Sequence, residues 1–98
     1  MQCTIQTLTT RQPGQMWYSE AEPIKYKIFR NWVATYPGVL KTFDKKISET
    51  EHLRITHFVD QATMEQFILD RNAREDYQEK INWCTSNNNL VESQILGL

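Results

Sequence analysis

The apolar residues of this chain recur at two spacings, and the order in which those spacings alternate limits the fold more than any other feature. Met1, Cys3 and Ile5 alternate with Gln2, Thr4 and Gln6, the period-two pattern of a half-buried strand. Ile24, Ile28, Trp32 and Tyr36 then recur every fourth residue, with Phe29 and Val33 beside them and Lys25, Lys27, Arg30 and Asn31 opposite. That spacing predicts an amphipathic helix. Pro13-Gly14 breaks the strand, Ser19-Glu20-Ala21-Glu22 with Pro23 reads as a capping box and first helical turn, and Pro37-Gly38 stops the helix.

Two more strands follow, Val39 to Ile47 and His52 to Asp60, joined by a turn at Ser48-Glu49-Thr50-Glu51. In the second, Leu53, Ile55, His57 and Val59 share a face. Thr63 is placed to cap a short helix carrying Met64, Phe67, Ile68 and Leu69. Asn72, with Glu75 three residues on, restarts it, and Tyr77, Ile81 and Cys84 form the next apolar stripe. A polar cluster from Thr85 to Asn89 leads to a closing strand, Leu90 to Leu98. The order strand, helix, strand, strand, helix, strand predicts an α+β fold of the ferredoxin-like βαββαβ plan. Its four-stranded antiparallel sheet carries helices on one face, and its 98 residues (1–98) suit a single domain.

Such a sheet leaves its second face open. Met1, Cys3, Ile5, Phe43, Phe58, Ile55, Val59 and Trp83 exceed what one layer of helices needs. A homodimer pairing two sheets face to face is expected, unless the Trp17-Tyr18 segment covers the surplus within one chain.

Charge narrows the partners. The net charge is -1, and the lysines and arginines are dispersed, Lys45-Lys46 being the densest pair. No field of this kind draws in nucleic acid or an anionic membrane. No apolar run reaches the length of a membrane span, and no basic-then-apolar leader opens the sequence. Cys3 and Cys84 fall on apolar faces far apart and read as small core residues in a reducing, cytoplasmic setting.

Four stretches resemble the antibiotic-biosynthesis-monooxygenase-like branch of the dimeric α+β-barrel superfamily. They are the alternating first strand, the helix end Tyr36-Pro37-Gly38-Val39-Leu40, the strand Leu53 to Asp60 and the helix Thr63 to Asn72. The resemblance implies a dimeric α+β barrel with an apolar pocket between sheet and helices. Some members are cofactor-free oxygenases acting on electron-rich substrates. Haem-degrading members use a first-strand asparagine, a third-strand tryptophan and a second-helix histidine. Here the first strand has Gln2 and Gln6, Phe58 stands where tryptophan is expected, and the second helix has no histidine. Neither haem nor any other cofactor is expected.

His57 is the candidate for chemistry. Among apolar strand neighbours, a neutral imidazole can act as acid or base near neutral pH; the alternative is a core histidine satisfied by a backbone carbonyl or by Tyr26 or Tyr77. His52, five residues earlier, points to the other face, so the pair cannot share a metal, and no metal site is expected. Trp17, Tyr18, Phe29, Trp32, Phe43, His57, Phe67 and Trp83 are the candidate lining of a site for a small apolar or aromatic molecule. Three functions follow: a ligand-binding dimer; a cofactor-independent monooxygenase or isomerase using His57 as acid/base; or a structural or regulatory dimer without a ligand. The first two require a cavity between sheet and helices. The third requires that space to be filled.

Overall fold

The computed structural model describes residues 3–96. Strand β1 (Cys3–Thr10) leads through the Pro13-Gly14 turn to a short helix α1 (Tyr18–Ala21) and then α2 (Pro23–Thr35). The hairpin β2 (Val39–Lys46) and β3 (Glu51–Phe58) follows, then α3 (Gln61–Ala73), α4 (Glu75–Ser86) and β4 (Leu90–Leu96). The strands form one antiparallel sheet in the order β2-β3-β1-β4, with the helices on one face. This is the ferredoxin-like α+β plan. Each predicted strand and helix is present, although both helical regions are broken in two.

Local chemistry explains the breaks. The Trp17 backbone N–H donates to the Glu20 carboxylate at 3.0 Å, so the capping interaction falls two residues before the expected serine. Pro23 then starts α2, where its missing N–H leaves no helical bond unmade. Asp60, not Thr63, caps α3: its carboxylate accepts from the Thr63 N–H at 2.8 Å. Arg74, rather than Asn72, leaves helical geometry between α3 and α4. Gly38 has φ +90, and a Cβ there would collide with the Thr63 side chain, so the turn into β2 admits only glycine.

The core lies between sheet and helices. Cys3, Ile5, Phe29, Val33, Phe58, Met64 and Phe67 are buried together, with Phe58 fully inaccessible. Trp32 stacks on Phe67 at 5.2 Å, and Phe58 meets the same ring at 4.9 Å. The Tyr36 hydroxyl donates to Asp70 at 2.6 Å, tying the end of α2 to α3. Helix α2 therefore buries Phe29 and Val33, while Ile24 and Ile28 of the expected stripe are 75% and 55% exposed. The apolar arc spans more than half the helix, and packing selected its other edge.

Strand register corrects the assignment of faces. Cys3 pairs with Phe58, Ile5 with Thr56, Thr7 with Arg54 and Thr9 with His52, all on the helix side. Thr4–His57, Gln6–Ile55 and Leu8–Leu53 therefore face the other way, with Phe43 opposite Ile55. Cys3, Ile5 and Phe58 do not belong to the open face, and neither does Trp83, which packs edge-on against Tyr18 at 5.5 Å. Met1 lies outside the described residues. The open face carries Leu8, Phe43, Leu53, Ile55 and His57.

Candidate functional site

A cavity of about 390 Å³ opens between the sheet and the helices. Its floor is the helix-side face of β1 and β3: Ile5, Thr7 and Thr9 beside Thr56, Arg54 and His52. Phe29, Tyr26 and Val33 reach it from α2, Phe67 and Arg71 from α3, and Tyr77, Lys80 and Cys84 from α4. Trp17 and Tyr18 close the end where the Pro-Gly loop becomes α1. The cause is local. Along β1 the helix-side residues change from Cys3 and Ile5 to Thr7 and Thr9, which are too short to meet the helices above.

The polar wall is organised around Asp44, reaching the helix side from β2. Its carboxylate accepts from Arg30 Nε at 2.7 Å and Arg54 Nε at 2.8 Å, and His52 Nε2 lies 3.7 Å away. Burial alone would raise the Asp44 carboxyl, but Arg54 and the two hydrogen bonds outweigh it and hold it below the usual range. Arg54 also donates from Nη2 to the Tyr26 hydroxyl at 2.7 Å, which fixes its guanidinium against the cavity. Burial pushes His52 below its ordinary value against the pull of Asp44, so its imidazole is neutral near pH 7. Arg11 lies 4.7 Å over the Trp17 ring, donates to Glu49 and Gln15 carbonyls and thereby pins the loop to the hairpin turn.

Lys80 differs from these cations. Its ammonium sits 5.5 Å from the Phe29 ring and makes no ion pair or hydrogen bond among the described residues. Burial, reinforced by Arg54, pushes its pKa down to about 8. Burial also raises the neighbouring Cys84 thiol, which is therefore neutral near pH 7. The Tyr18 hydroxyl is buried with no hydrogen-bond partner among the described residues.

Of the residues expected at the site, Trp17, Tyr18, Phe29 and Phe67 line this cavity. Trp32 is one layer out, between Phe67 and the Arg74 guanidinium, which lies 4.6 Å over its ring. Trp83 backs Tyr18 without lining the cavity. Phe43 and His57 are on the opposite sheet face, their rings 6.1 Å apart, with His57 Nδ1 2.7 Å from the Thr4 hydroxyl. The expectation that His57 faces the helices is thus corrected: the fully buried Phe58 fixes the parity of β3, and His57 must point away. The cavity histidine is His52. Sequence reasoning also passed over Arg54 and Lys80, although Phe58, Thr56, Arg54 and His52 follow each other at strand spacing.

No protein-family model matches the sequence, and neither does any curated protein. Solved structures do match in fold. A single-residue mutant of SnoaB from Streptomyces nogalater, a cofactor-independent oxygenase, superposes with TM-score 0.68 at 11% identity, covering 99% of this chain and 92% of that one. A candidate antibiotic biosynthesis monooxygenase from Deinococcus radiodurans gives 0.65 at 14% identity, covering 100% and 92%. A dimeric ferredoxin-like protein of unknown function from Jannaschia sp. CCS1 gives 0.59 at 11% identity, covering 97% and 99%. At these identities the likeness establishes the fold, and chemistry has to be argued from the site.

Proposed function

We propose that the protein binds a small aromatic molecule in the helix-side cavity and works as a homodimer paired through the open sheet face. The cavity carries the first part. About 390 Å³ of space walled by Trp17, Tyr18, Tyr26, Phe29 and Tyr77 is what a purely structural dimer would fill with side chains. A neutral naphthalene, 2-naphthamide, should saturate the site and change the tryptophan fluorescence. Trp17→Ala should weaken that binding by about 1–3 kcal/mol. The absence of any saturable change would leave the cavity without a ligand role.

The open face supports the dimer. Leu8, Phe43, Leu53 and Ile55 form an apolar strip, with Gln6, Lys41, Lys45 and Glu92 on the same face, and a second copy would bury the strip while the long lysine and glutamate side chains reach for its rim. A neighbour in fold is a dimeric protein. Light scattering at micromolar concentration should give twice the chain mass, and Ile55→Lys should give the monomer, because pairing would bury a further ammonium beside Lys41 and Lys45. A monomeric native protein would refute this part. With Cys3 and Cys84 as buried free thiols, a reducing compartment such as the cytoplasm suits the molecule.

One observation favours catalysis as a second reading. His52 is neutral, lies on the cavity wall and has the Asp44 carboxylate 3.7 Å from its Nε2, beyond a hydrogen bond but near enough to favour the imidazolium that a general base forms. If a bound aromatic consumes oxygen or isomerises without a cofactor, His52→Asn should abolish turnover while His57→Asn leaves it unchanged. Equal loss from both would remove His52 from that role.

A further inference from the structure

Charge within the cavity runs against charge on the whole protein. The chain carries -1 overall, yet the residues lining the cavity include five cations, Arg11, Lys46, Arg54, Arg71 and Lys80, against one carboxylate, Glu20. Glu20 is exposed at the rim, 4.0 Å from Arg11. Asp44, behind the wall, is shared between Arg30 and Arg54, so it leaves a positive remainder. Cys84 is a neutral thiol and His52 a neutral imidazole. Among the described residues, no group facing Lys80 is free to act as its counter-ion: Arg54 of β3 and Arg71 of α3 repel it, and Asp44 of β2 is already taken. Helix α1 offers Tyr18 and Glu20, the latter held by Arg11 and the Trp17 N–H. Helix α2 offers Tyr26 and Phe29, β4 offers Val91, and Glu79 on its own helix pairs with Lys25. Unpaired cations in one confined space destabilise the empty protein, and a ligand anion would relieve that.

We propose, resting on the reading of this cavity as an aromatic-ligand site, that its ligand is an aromatic acid, a ring bearing an anionic oxygen group held by Lys80 and Arg54. The ring would lie among Phe29, Tyr26, Tyr77 and Trp17, and the anion would reach the ammonium over Phe29 and the guanidinium fixed by Asp44 and Tyr26. Arg71, 4.7 Å over Tyr77, adds to the field on that side. A carboxylate and an ionised phenol share this chemistry, and the probes separate them.

The test compares 2-naphthoate, neutral 2-naphthamide and 2-naphthol by tryptophan fluorescence. At pH 7, 2-naphthoate should bind about tenfold tighter than the amide, the scale of one hydrogen bond to a charged group. Lys80→Met should remove most of that preference, read as the ratio of the naphthoate and naphthamide affinities measured in the same variant. In the unmodified protein the preference should shrink as pH rises from about 7 to about 9, because Lys80 loses its proton there while Arg54 does not; this arm needs no variant to fold. A naphtholate absorption band appearing when 2-naphthol binds at pH 7 would assign the site to phenols, and its absence with tight naphthoate binding would assign it to carboxylates. Equal affinity for naphthoate and naphthamide would overturn the anion proposal while the cavity reading stands. Binding of none of the three would overturn both.

Discussion

At one end of the helix-covered sheet face, Cys3 lies opposite Phe58, and Phe58, Phe67 and Trp32 fill the space up to the helices. At the other, Thr9 lies opposite His52 and Thr7 opposite Arg54, and the same helices stand over a cavity. Strands β1 and β3 and helices α2 and α3 run over both ends, and the side chains they present there differ. Bulky rings close the first end. Short threonines leave room at the second, and the charged groups around that room resist collapse because burying them unpaired would cost more than the space itself. One layer thus serves stability at one end and recognition at the other.

Substitutions should separate the two ends. Phe58→Ala should cost about 3–5 kcal/mol in a urea melt, since a fully buried ring contacting Phe67 is lost and a void remains. Thr7→Ala at the hollow end should change stability by less than about 1 kcal/mol. A comparable loss at Thr7 would mean that the cavity end is packed after all.

The opposite sign is expected from Lys80→Met, which should stabilise the protein by up to about 1 kcal/mol at pH 7 by removing an unpaired, half-buried ammonium from the cavity wall. Its folded-state pKa of about 8 lies below the ordinary lysine value of 10.5. Between these values the unfolded chain holds a proton that the folded one lacks, so native stability rises with pH. The advantage of the methionine variant should therefore be largest below pH 8 and shrink above it. A constant advantage would mean that Lys80 is not desolvated.

Tyr36→Phe, at the packed end, should cost about 1 kcal/mol through the lost hydrogen bond to Asp70. The hydroxyl, pushed up to about 12 first by burial and then by Asp70, stays protonated, so this loss should not vary between pH 6 and pH 9. The smallest effect belongs to His52. Its folded pKa is below the ordinary 6.5, so as pH falls through 6.5 the unfolded chain takes up a proton first and stability declines. His52→Asn should flatten that slope, and an unchanged slope would assign it to other groups.

Much of the packed end was legible in the sequence. The alternation of Cys3 and Ile5, the Pro37-Gly38 stop and the turn at Ser48 set the element order, because period and breakers act locally. The face of β3 was not legible. Leu53, Ile55, His57 and Val59 form one apolar set, while Phe58 and Thr56 share the other with Arg54 and His52, and alternation alone cannot choose between them. The choice depends on whether Phe58 is buried, a tertiary fact. The aromatics at the cavity were partly legible because Trp17 and Tyr18 follow a Pro-Gly break. Lys80 was not, since a lysine among Glu75, Asp76 and Glu79 reads as part of a solvated helix face until α4 is seen to turn it inward.

The three tryptophans report on the two ends: Trp17 lines the cavity, Trp83 backs Tyr18, and Trp32, half-buried, stacks between Phe67 and Arg74 outside the cavity. Titrating 2-naphthoate or 2-naphthamide into nitrogen-15-labelled protein and following the three indole N–H resonances locates binding directly. The Trp17 resonance should move most, Trp83 less, and Trp32 should stay in place. A shift dominated by Trp32, or no shift of Trp17 as the probe saturates, would contradict the assignment of recognition to the hollow end.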